Sequence, residues 1–98
     1  MIELKIADIR EGMSNISLEA KVIEISETRS VRTRFGRRDV ADALIKDETG
    51  EISLTLWQDQ INAVKVGDRI SIKGAFVTRF KEKLQVNVPR SGKIEVIE

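Results

Sequence analysis

The sequence predicts an all-β fold, a small barrel of five or six short strands with a short helix between the third and fourth. The main observation is strict alternation of apolar and polar residues, clearest over residues 52–57, which is typical of a strand with one buried face. Turn-forming residues separate the alternating stretches, as in residues 47–50 (Asp-Glu-Thr-Gly). The chain has 98 residues, 41% of them hydrophobic, so we expect one compact domain over residues 1–98.

The first elements are predicted to close and bend this barrel. Ile6, Ile9 and Met13 are spaced like one side of a short helical turn, which we expect to cover one end of the core. Residues 16–27 form a predicted long strand. Its alternation slips where Val22 and Ile23 are adjacent, which indicates a bulge or a strong bend.

An arginine-rich arm follows the first strand. Residues 28–38 lack apolar periodicity, and we predict a β-hairpin arm or a mobile loop with Phe35-Gly36 at its tip. Residues 29–38 contain no acidic residue and five arginines: Arg29, Arg32, Arg34, Arg37 and Arg38. The arm is therefore locally positive, although the net charge of the chain is only +1. Its arginines either bind phosphates or simply solvate a long loop.

The central strand gives the only tryptophan an unusual position. Ile52, Leu54 and Leu56 share the apolar face, so the opposite face carries Ser53, Thr55 and Trp57. A large indole beside two small hydroxyl residues suits a stacking platform. The alternative is that a bulge or the end of the strand turns Trp57 into the core. The preceding strand, residues 39–46, is expected to bury Ala41, Ala43 and Ile45.

The phase of the strand over residues 69–80 depends on one glycine. Ile70 and Ile72 fit an inward face, and strict alternation would put Phe76 and Phe80 inward as well. Gly74 interrupts the pattern, however, and glycine within a strand often marks a bulge. A bulge reverses the phase and leaves outside the side chains of Phe76, Thr78 and Phe80. Periodicity alone leaves both arrangements open.

The remaining segments complete the predicted barrel. Residues 59–64 are expected to form the short helix, capped by Asp59. After a turn at residues 81–83, Gln85 and Asn87 face outward on a strand that Pro89 ends, and residues 94–96 form a last short strand. A helix in this position closes the barrel of the oligonucleotide/oligosaccharide-binding (OB) fold. We therefore predict a five-stranded OB-fold barrel, with an SH3-like barrel as the alternative.

Missing residue types exclude several functions. The chain contains no His, Cys or Tyr, which rules out His/Cys zinc sites and the Ser–His–Asp and Cys–His nucleophilic arrangements. Metal sites or acid/base pairs made of carboxylates alone stay open, but the acidic residues are scattered and show no spacing typical of such a site. We therefore expect no metal, no cofactor and no enzymatic activity. No apolar run is long enough to cross a bilayer and no signal-peptide pattern occurs, so we expect a cytoplasmic protein without a membrane partner.

The aromatic and basic side chains together favour single-stranded nucleic acid as the ligand. With a bulge at Gly74, none of the four aromatic residues lies in the core, and exposed rings of this kind usually have a function. Bases stack on such rings while Arg and Lys neutralise phosphates; Gln85 and Asn87 either hydrogen-bond base edges or are merely solvated. The predicted nucleic-acid-binding residues are Arg29, Arg32, Arg34, Phe35, Arg37, Arg38, Thr55, Trp57, Phe76, Thr78, Phe80, Lys81, Gln85 and Asn87.

The chain resembles the archaeal single-stranded-DNA-binding proteins with one OB fold, which are related to replication protein A and to the DNA-binding subunit of the human sensor-of-single-strand-DNA complex. The resemblance is carried by residues 8–13, 47–50, 54–57, 75–81 and 85–87. It implies that Trp57, Phe76 and Phe80 stack on bases, which favours the bulge at Gly74. It also implies binding of single-stranded DNA with little sequence preference in replication, recombination or repair.

Two departures from that family bear on function. The middle aromatic is often Trp in these proteins and is Phe76 here, so we expect a smaller stacking area. Relatives commonly carry a Gly/Pro-rich tail that recruits proteins, and this sequence ends at Glu98 without one, so protein partners stay unknown. The alternatives are an RNA-binding or anticodon-type OB module and a protein-interaction OB domain.

Overall fold

A computed structural model describes residues 4–89 and 91–97, and it confirms the all-β prediction. Within these residues the elements are a 3-10 turn and an α-helix together with seven strands. In chain order they are the 3-10 turn Ile6–Asp8, β1 (Ile16–Ile25), β2 (Arg29–Thr33), β3 (Gly36–Asp47), β4 (Gly50–Trp57), α1 (Asp59–Ala63), β5 (Arg69–Phe80), β6 (Lys83–Asn87) and β7 (Lys93–Val96).

Five of these strands form a closed ring. The order β1-β3-β4-β6-β5 is completed by pairing of β5 with β1, and only the β4–β6 pair among these is parallel. β2 pairs only with β3 and makes the arm a hairpin, while β7 adds to β5. The helix lies between β4 and β5 in chain order because the arm contributes a strand. Counted along the ring strands alone, it lies between the third and fourth, as predicted.

The core inside the ring is aliphatic. Its buried cluster consists of Ile, Leu, Val and Ala, and no aromatic side chain of the described residues belongs to it. Ile6 and Ile9 belong to this cluster and Met13 packs against it, so all three residues predicted for the N-terminal turn contact the core. Asp47 holds that turn in place because its Oδ2 accepts a hydrogen bond from the Ile6 N–H at 2.8 Å.

Two bulges set the direction of the side chains, as predicted. The β1–β3 register passes from Val22↔Ile45 to Glu24↔Leu44, so Ile23 is the extra residue. The β1–β5 register passes from Ile16↔Ala75 to Leu18↔Ile72, which leaves one extra residue on β5. Gly74 lies there with a φ of 71°, in the left-handed region that glycine tolerates. Ala75 and Val77 are consequently buried, whereas Phe76 and Phe80 lie outside the core.

Two local details differ from the sequence predictions. The arm tip is Arg34-Phe35, and Gly36 already begins β3 with a φ of 103°. The N-cap of α1 is Gln58, with a φ of 52°, rather than Asp59. The difference arises because the chain reverses at Gln58, so Asp59 is the first residue within the helix.

Candidate nucleic-acid interface

A groove of about 1160 Å³ separates the arm from the face of the ring. We call it the aromatic groove; its lining residues are Thr33, Arg34, Phe35, Arg38, Trp57, Gln58, Asp59, Gln60, Phe76, Asn87, Val88 and Pro89. It brings together six of the residues predicted from the sequence, which come from the arm and from β4, β5 and β6: Arg34, Phe35, Arg38, Trp57, Phe76 and Asn87.

Trp57 ends β4 and is half-buried in the wall of this groove. Val40 lies directly opposite on β3 and is only 3% exposed, although it is not part of the core cluster. The backbone at Trp57 is fixed, because its N–H donates to Gln60 Oε1 at 2.9 Å and Gln60 Nε2 donates to the carbonyl of Val88 at 3.0 Å. The two hydrogen bonds through Gln60 therefore hold the end of β4 in place at Trp57.

Cross-strand registers arrange the neighbouring polar residues in two rows. Asn87 lies opposite Thr55 on β4 and Phe76 on β5. The next row places Gln85 opposite Ser53 and Thr78. Side chains directly opposite one another in a sheet share a face, so both rows lie outside the ring.

Asn87 has a defined orientation in these rows. Its Nδ2 donates to Thr78 Oγ1 at 3.0 Å and to the carbonyl of Gln85 at 3.4 Å. Its amide oxygen accepts no hydrogen bond from the residues that the structure describes. Asn87 therefore presents an unused acceptor at the edge of the aromatic groove.

Thr55 differs from its neighbours. The sequence predicts an accessible hydroxyl on the outer face, but Thr55 is only 6% exposed. Its Oγ1 is buried and lacks a hydrogen-bond partner within the described part of the chain. Alternation assigns a side chain to a face and does not determine its exposure; here the longer side chains of Asp42 and Asn87 flank Thr55 in register.

Phe80 and Lys81 lie at the far end of β5, outside the aromatic groove. Phe80 is 59% exposed, and Lys81 Nζ is 5.4 Å from the centroid of its ring, within the range of a cation–π interaction. Lys81 and Glu82 form the turn to β6 with φ values of 49° and 67°, both in the left-handed region. The hairpin end thus presents an exposed ring together with a positive charge.

The arginines of the arm have different environments. Arg29 Nη1 is 3.2 Å from Asp42 Oδ2, so it already has a counter-charge. Arg32 lies opposite Arg37 in the hairpin, and neither has an ion-pair partner among the described residues. Like charges directly opposite one another destabilise a strand pair. The hairpin therefore has an unneutralised pair on the face opposite to that of the groove-lining Arg38, because Arg37 and Arg38 are consecutive on β3.

Sequence reasoning missed half of the groove lining. Thr33, Gln58, Asp59, Gln60, Val88 and Pro89 were not assigned to the interface. The only sequence signal for Gln58, Asp59 and Gln60 is that they directly follow Trp57 at the end of a strand.

Among the residues described, no group of His, Cys, Asp or Glu side chains is arranged to hold a metal ion. No helix in the described ranges is long and apolar enough to cross a membrane.

Comparisons with known proteins identify related chains. A family model described as single-stranded DNA binding protein Ssb-like, OB fold, matches residues 9–96. The single-stranded DNA binding protein Ssb of Saccharolobus solfataricus is 33% identical over 93 residues, which are 95% of this chain and 63% of that protein. Replication factor A of Methanothermobacter thermautotrophicus is 30% identical over 102 residues, covering 93% of this chain and 12% of that protein.

Solved structures agree with these sequence matches. The replication factor A related protein from Methanobacterium thermoautotrophicum has a TM-score of 0.82 at 26% identity, covering 99% of this chain and 92% of that one. The fold observed here is therefore the OB fold, as the sequence predicted. The chain nevertheless spans less than two thirds of the Saccharolobus protein and a small part of the replication factor.

Proposed function

The chain belongs to the Ssb-like OB-fold family of single-stranded-DNA-binding proteins, and from that premise we propose that it binds single-stranded DNA with little sequence preference. This is a family of binding proteins and not of enzymes. We propose that the bound strand is protected during replication, recombination or repair, which would place the protein with the DNA of the nucleoid.

One observation carries this proposal: the aromatic groove combines rings with arginines while the core needs no aromatic residue. Phe35, Trp57 and Phe76 line the groove together with Arg34 and Arg38. Bases stack on such rings at about 1–3 kcal/mol each, and every base offers a π-face, so the binding tolerates many sequences. The guanidinium groups neutralise the phosphates of the same strand.

The neighbouring residues take supporting roles in this proposal. Phe80 and Lys81 extend the path along β5, where the lysine meets a phosphate when a base stacks on the ring. The free acceptor of Asn87 hydrogen-bonds a base edge, and Gln85 and Thr78 lie in the next row to do the same. Thr55 lies in the row of Asn87, and because its hydroxyl is covered we assign it a packing role in that row and not a contact with the bases.

The arm closes one side of the path. Arg34 and Arg38 face the groove, and Arg32 and Arg37 repel one another on the other face of the arm, so a phosphate bound on that face relieves the repulsion. Arg29 is expected to contribute less, because Asp42 already neutralises it. The arm is thus proposed to fold against the DNA backbone while the bases face the sheet.

Paired titrations test this function. Fluorescence anisotropy of labelled oligo-dT and oligo-U, each at several salt concentrations, should give tighter binding to DNA. The logarithm of the affinity should fall with the logarithm of the salt concentration by about 0.7 per phosphate neutralised. A strong preference for oligo-U would instead indicate an RNA-binding module. Failure to bind either oligomer at low salt, with a stable dimer in sedimentation, would indicate a protein-interaction domain.

A further inference from the structure

A second hollow, of about 280 Å³, lies against β1 and shares no lining residue with the aromatic groove. We call it the β1 hollow. Its basic residues come from three neighbouring strands and from the N-terminal segment: Lys5, Lys21, Lys46 and Arg69. None of them belongs to the interface described above.

Three of these cations stand directly side by side. Lys21 on β1 lies opposite Lys46 on β3 and opposite Arg69 on β5. At a strand spacing of about 4.8 Å, the three Cα atoms fall within about 10 Å. Glu51 lies opposite Lys46 on β4 and Glu19 pairs with Arg69, so acidic residues flank both ends of the row, whereas Lys21 in its middle has only cations in register. Like charges in direct register destabilise a sheet, so the Lys21–Lys46 pair is costly unless an anion lies between the two ammonium groups.

The acidic residues at the hollow are already engaged, two of them with the hollow's own cations Lys5 and Arg69. Glu48 Oε1 is 2.8 Å from Lys5 Nζ, and Glu19 Oε1 is 3.5 Å from Arg69 Nη2. The carboxylate of Asp47 accepts backbone hydrogen bonds from residues 6, 49 and 50. Lys21 and Lys46 are exposed and have no ion-pair partner among the described residues. The hollow therefore has two neighbouring ammonium groups without an ion pair, and Glu51 opposite Lys46 is the one acidic residue in register with either of them.

We propose that the β1 hollow binds a phosphate group. Two adjacent ammonium groups, with Arg69 beside them, offer several N–H donors to a compact oxyanion, and charge-assisted hydrogen bonds of this kind are the strong ones. The phosphate comes either from a nucleic-acid strand that continues beyond the aromatic groove or from a free phosphate. The strand source rests on the proposed function, whereas the phosphate site itself does not.

The fold provides a route for such a strand. β3 alternates its side chains, so Val40, opposite Trp57, and Lys46 lie on the same outer face of one strand. Six residues at about 3.4 Å each separate their Cα atoms by roughly 20 Å. A strand longer than the groove therefore reaches Lys46 along the outside of β3.

The first experiment compares oligomers of different length. Wild type, the double variant Lys21→Thr/Lys46→Thr and a charge-matched control, Lys65→Thr/Lys73→Thr, are titrated with oligo-dT of about 6 and about 30 nucleotides, below and above the upper limit of about 16 per OB fold. The Lys21/Lys46 variant should bind the short oligomer like wild type. Its salt slope for the long oligomer should decrease by about 0.7 for each phosphate lost, unlike that of the control.

The second experiment uses inorganic phosphate alone. Phosphate should cause saturable amide chemical-shift changes at residues 21, 46 and 69 in wild type and none in the double variant, with chloride at equal ionic strength as the reference. Phosphate saturation without a change in the long-oligomer slope would assign the site to free phosphate. No response to phosphate in wild type would overturn the proposal, even if an acidic peptide bound there.

The two experiments also separate this site from the proposed function. Loss of all oligomer binding in wild type, with the phosphate response intact, contradicts the function and not the hollow. Relief of like-charge repulsion should leave the double variant at least as resistant to urea as wild type. Marked destabilisation of that variant would mean that the lysines hold the sheet together, which contradicts the proposal.

Discussion

Replacing Trp57 by alanine should weaken DNA binding more than any other single aromatic substitution. Trp57 is the largest ring in the aromatic groove, and the hydrogen bonds through Gln60 fix its backbone. Loss of one stacked base costs about 1–3 kcal/mol, which is roughly a 5- to 150-fold increase in Kd. Trp57→Phe keeps a smaller ring in place and should lose only part of this affinity.

The same substitution also affects stability, and the two effects must be separated. A fully buried Trp→Ala change costs about 3–5 kcal/mol, and Trp57 is half-buried outside the core cluster, so we expect about half of that loss. Urea unfolding monitored by circular dichroism gives the folded fraction, and anisotropy of labelled oligo-dT gives Kd without needing tryptophan fluorescence. A folded Trp57→Ala protein that binds as tightly as wild type would refute the stacking argument.

Three further predictions concern the scaffold and its turns. Gly92→Ala should destabilise the protein by about 1–3 kcal/mol in urea unfolding, because its Cβ would lie 2.8 Å from the Lys73 carbonyl oxygen and 2.9 Å from Val88 Cγ1. Gly50→Ala is the matched control, since its Cβ would meet only Ile6 Cγ2 at 3.7 Å; equal losses in both variants would contradict the steric reason. The double change Lys81→Asn/Glu82→Gly should raise stability by about 1 kcal/mol, because Asn-Gly favours the two left-handed positions of this turn. The salt slope of DNA binding should fall by about 0.7 because one lysine is lost. Unchanged stability would argue against strain in the turn. Burial raises the pKa of Asp47, but the hydrogen bonds that its carboxylate accepts from Thr49, Ile6 and Gly50 outweigh this effect and lower the pKa below its ordinary value of 3.8. The stability that Asp47 contributes is therefore fully present above pH 3.8 and is lost as the pH falls through the lowered pKa. Unfolding of wild type and Asp47→Asn across acidic pH checks this, and parallel curves for the two proteins would rule it out.

Alternation and glycine placement were enough to predict most of the fold. Ile52, Leu54 and Leu56 are buried, and Trp57 on the opposite parity is absent from the core cluster. Gly74 indicated where a bulge would lie, and the family resemblance decided the direction of Phe76 and Phe80, because one extra residue reverses every later side chain. These are local properties, so a single sequence contains the information.

The assembly of the interface could not be predicted in the same way. The parallel pairing of β4 with β6 places Asn87 beside Thr55, residues that are far apart in the chain. The burial of Thr55 follows from that pairing, and so does the position of Val88 and Pro89 in the groove. Gln58, Lys81 and Glu82 have positive φ values although none of them is glycine, so their residue types do not indicate this conformation. Each of these features depends on tertiary contacts that periodicity does not contain.

Quenching of the single tryptophan gives the most direct test of the central claim that bases stack in the aromatic groove. Unlabelled oligo-dT is added to the wild-type protein while the emission of Trp57 is recorded, and anisotropy of a labelled oligomer confirms binding over the same concentrations. The account predicts saturable quenching with the same Kd as the anisotropy change. Complete binding by anisotropy with unchanged tryptophan emission would show that DNA binds elsewhere on the protein.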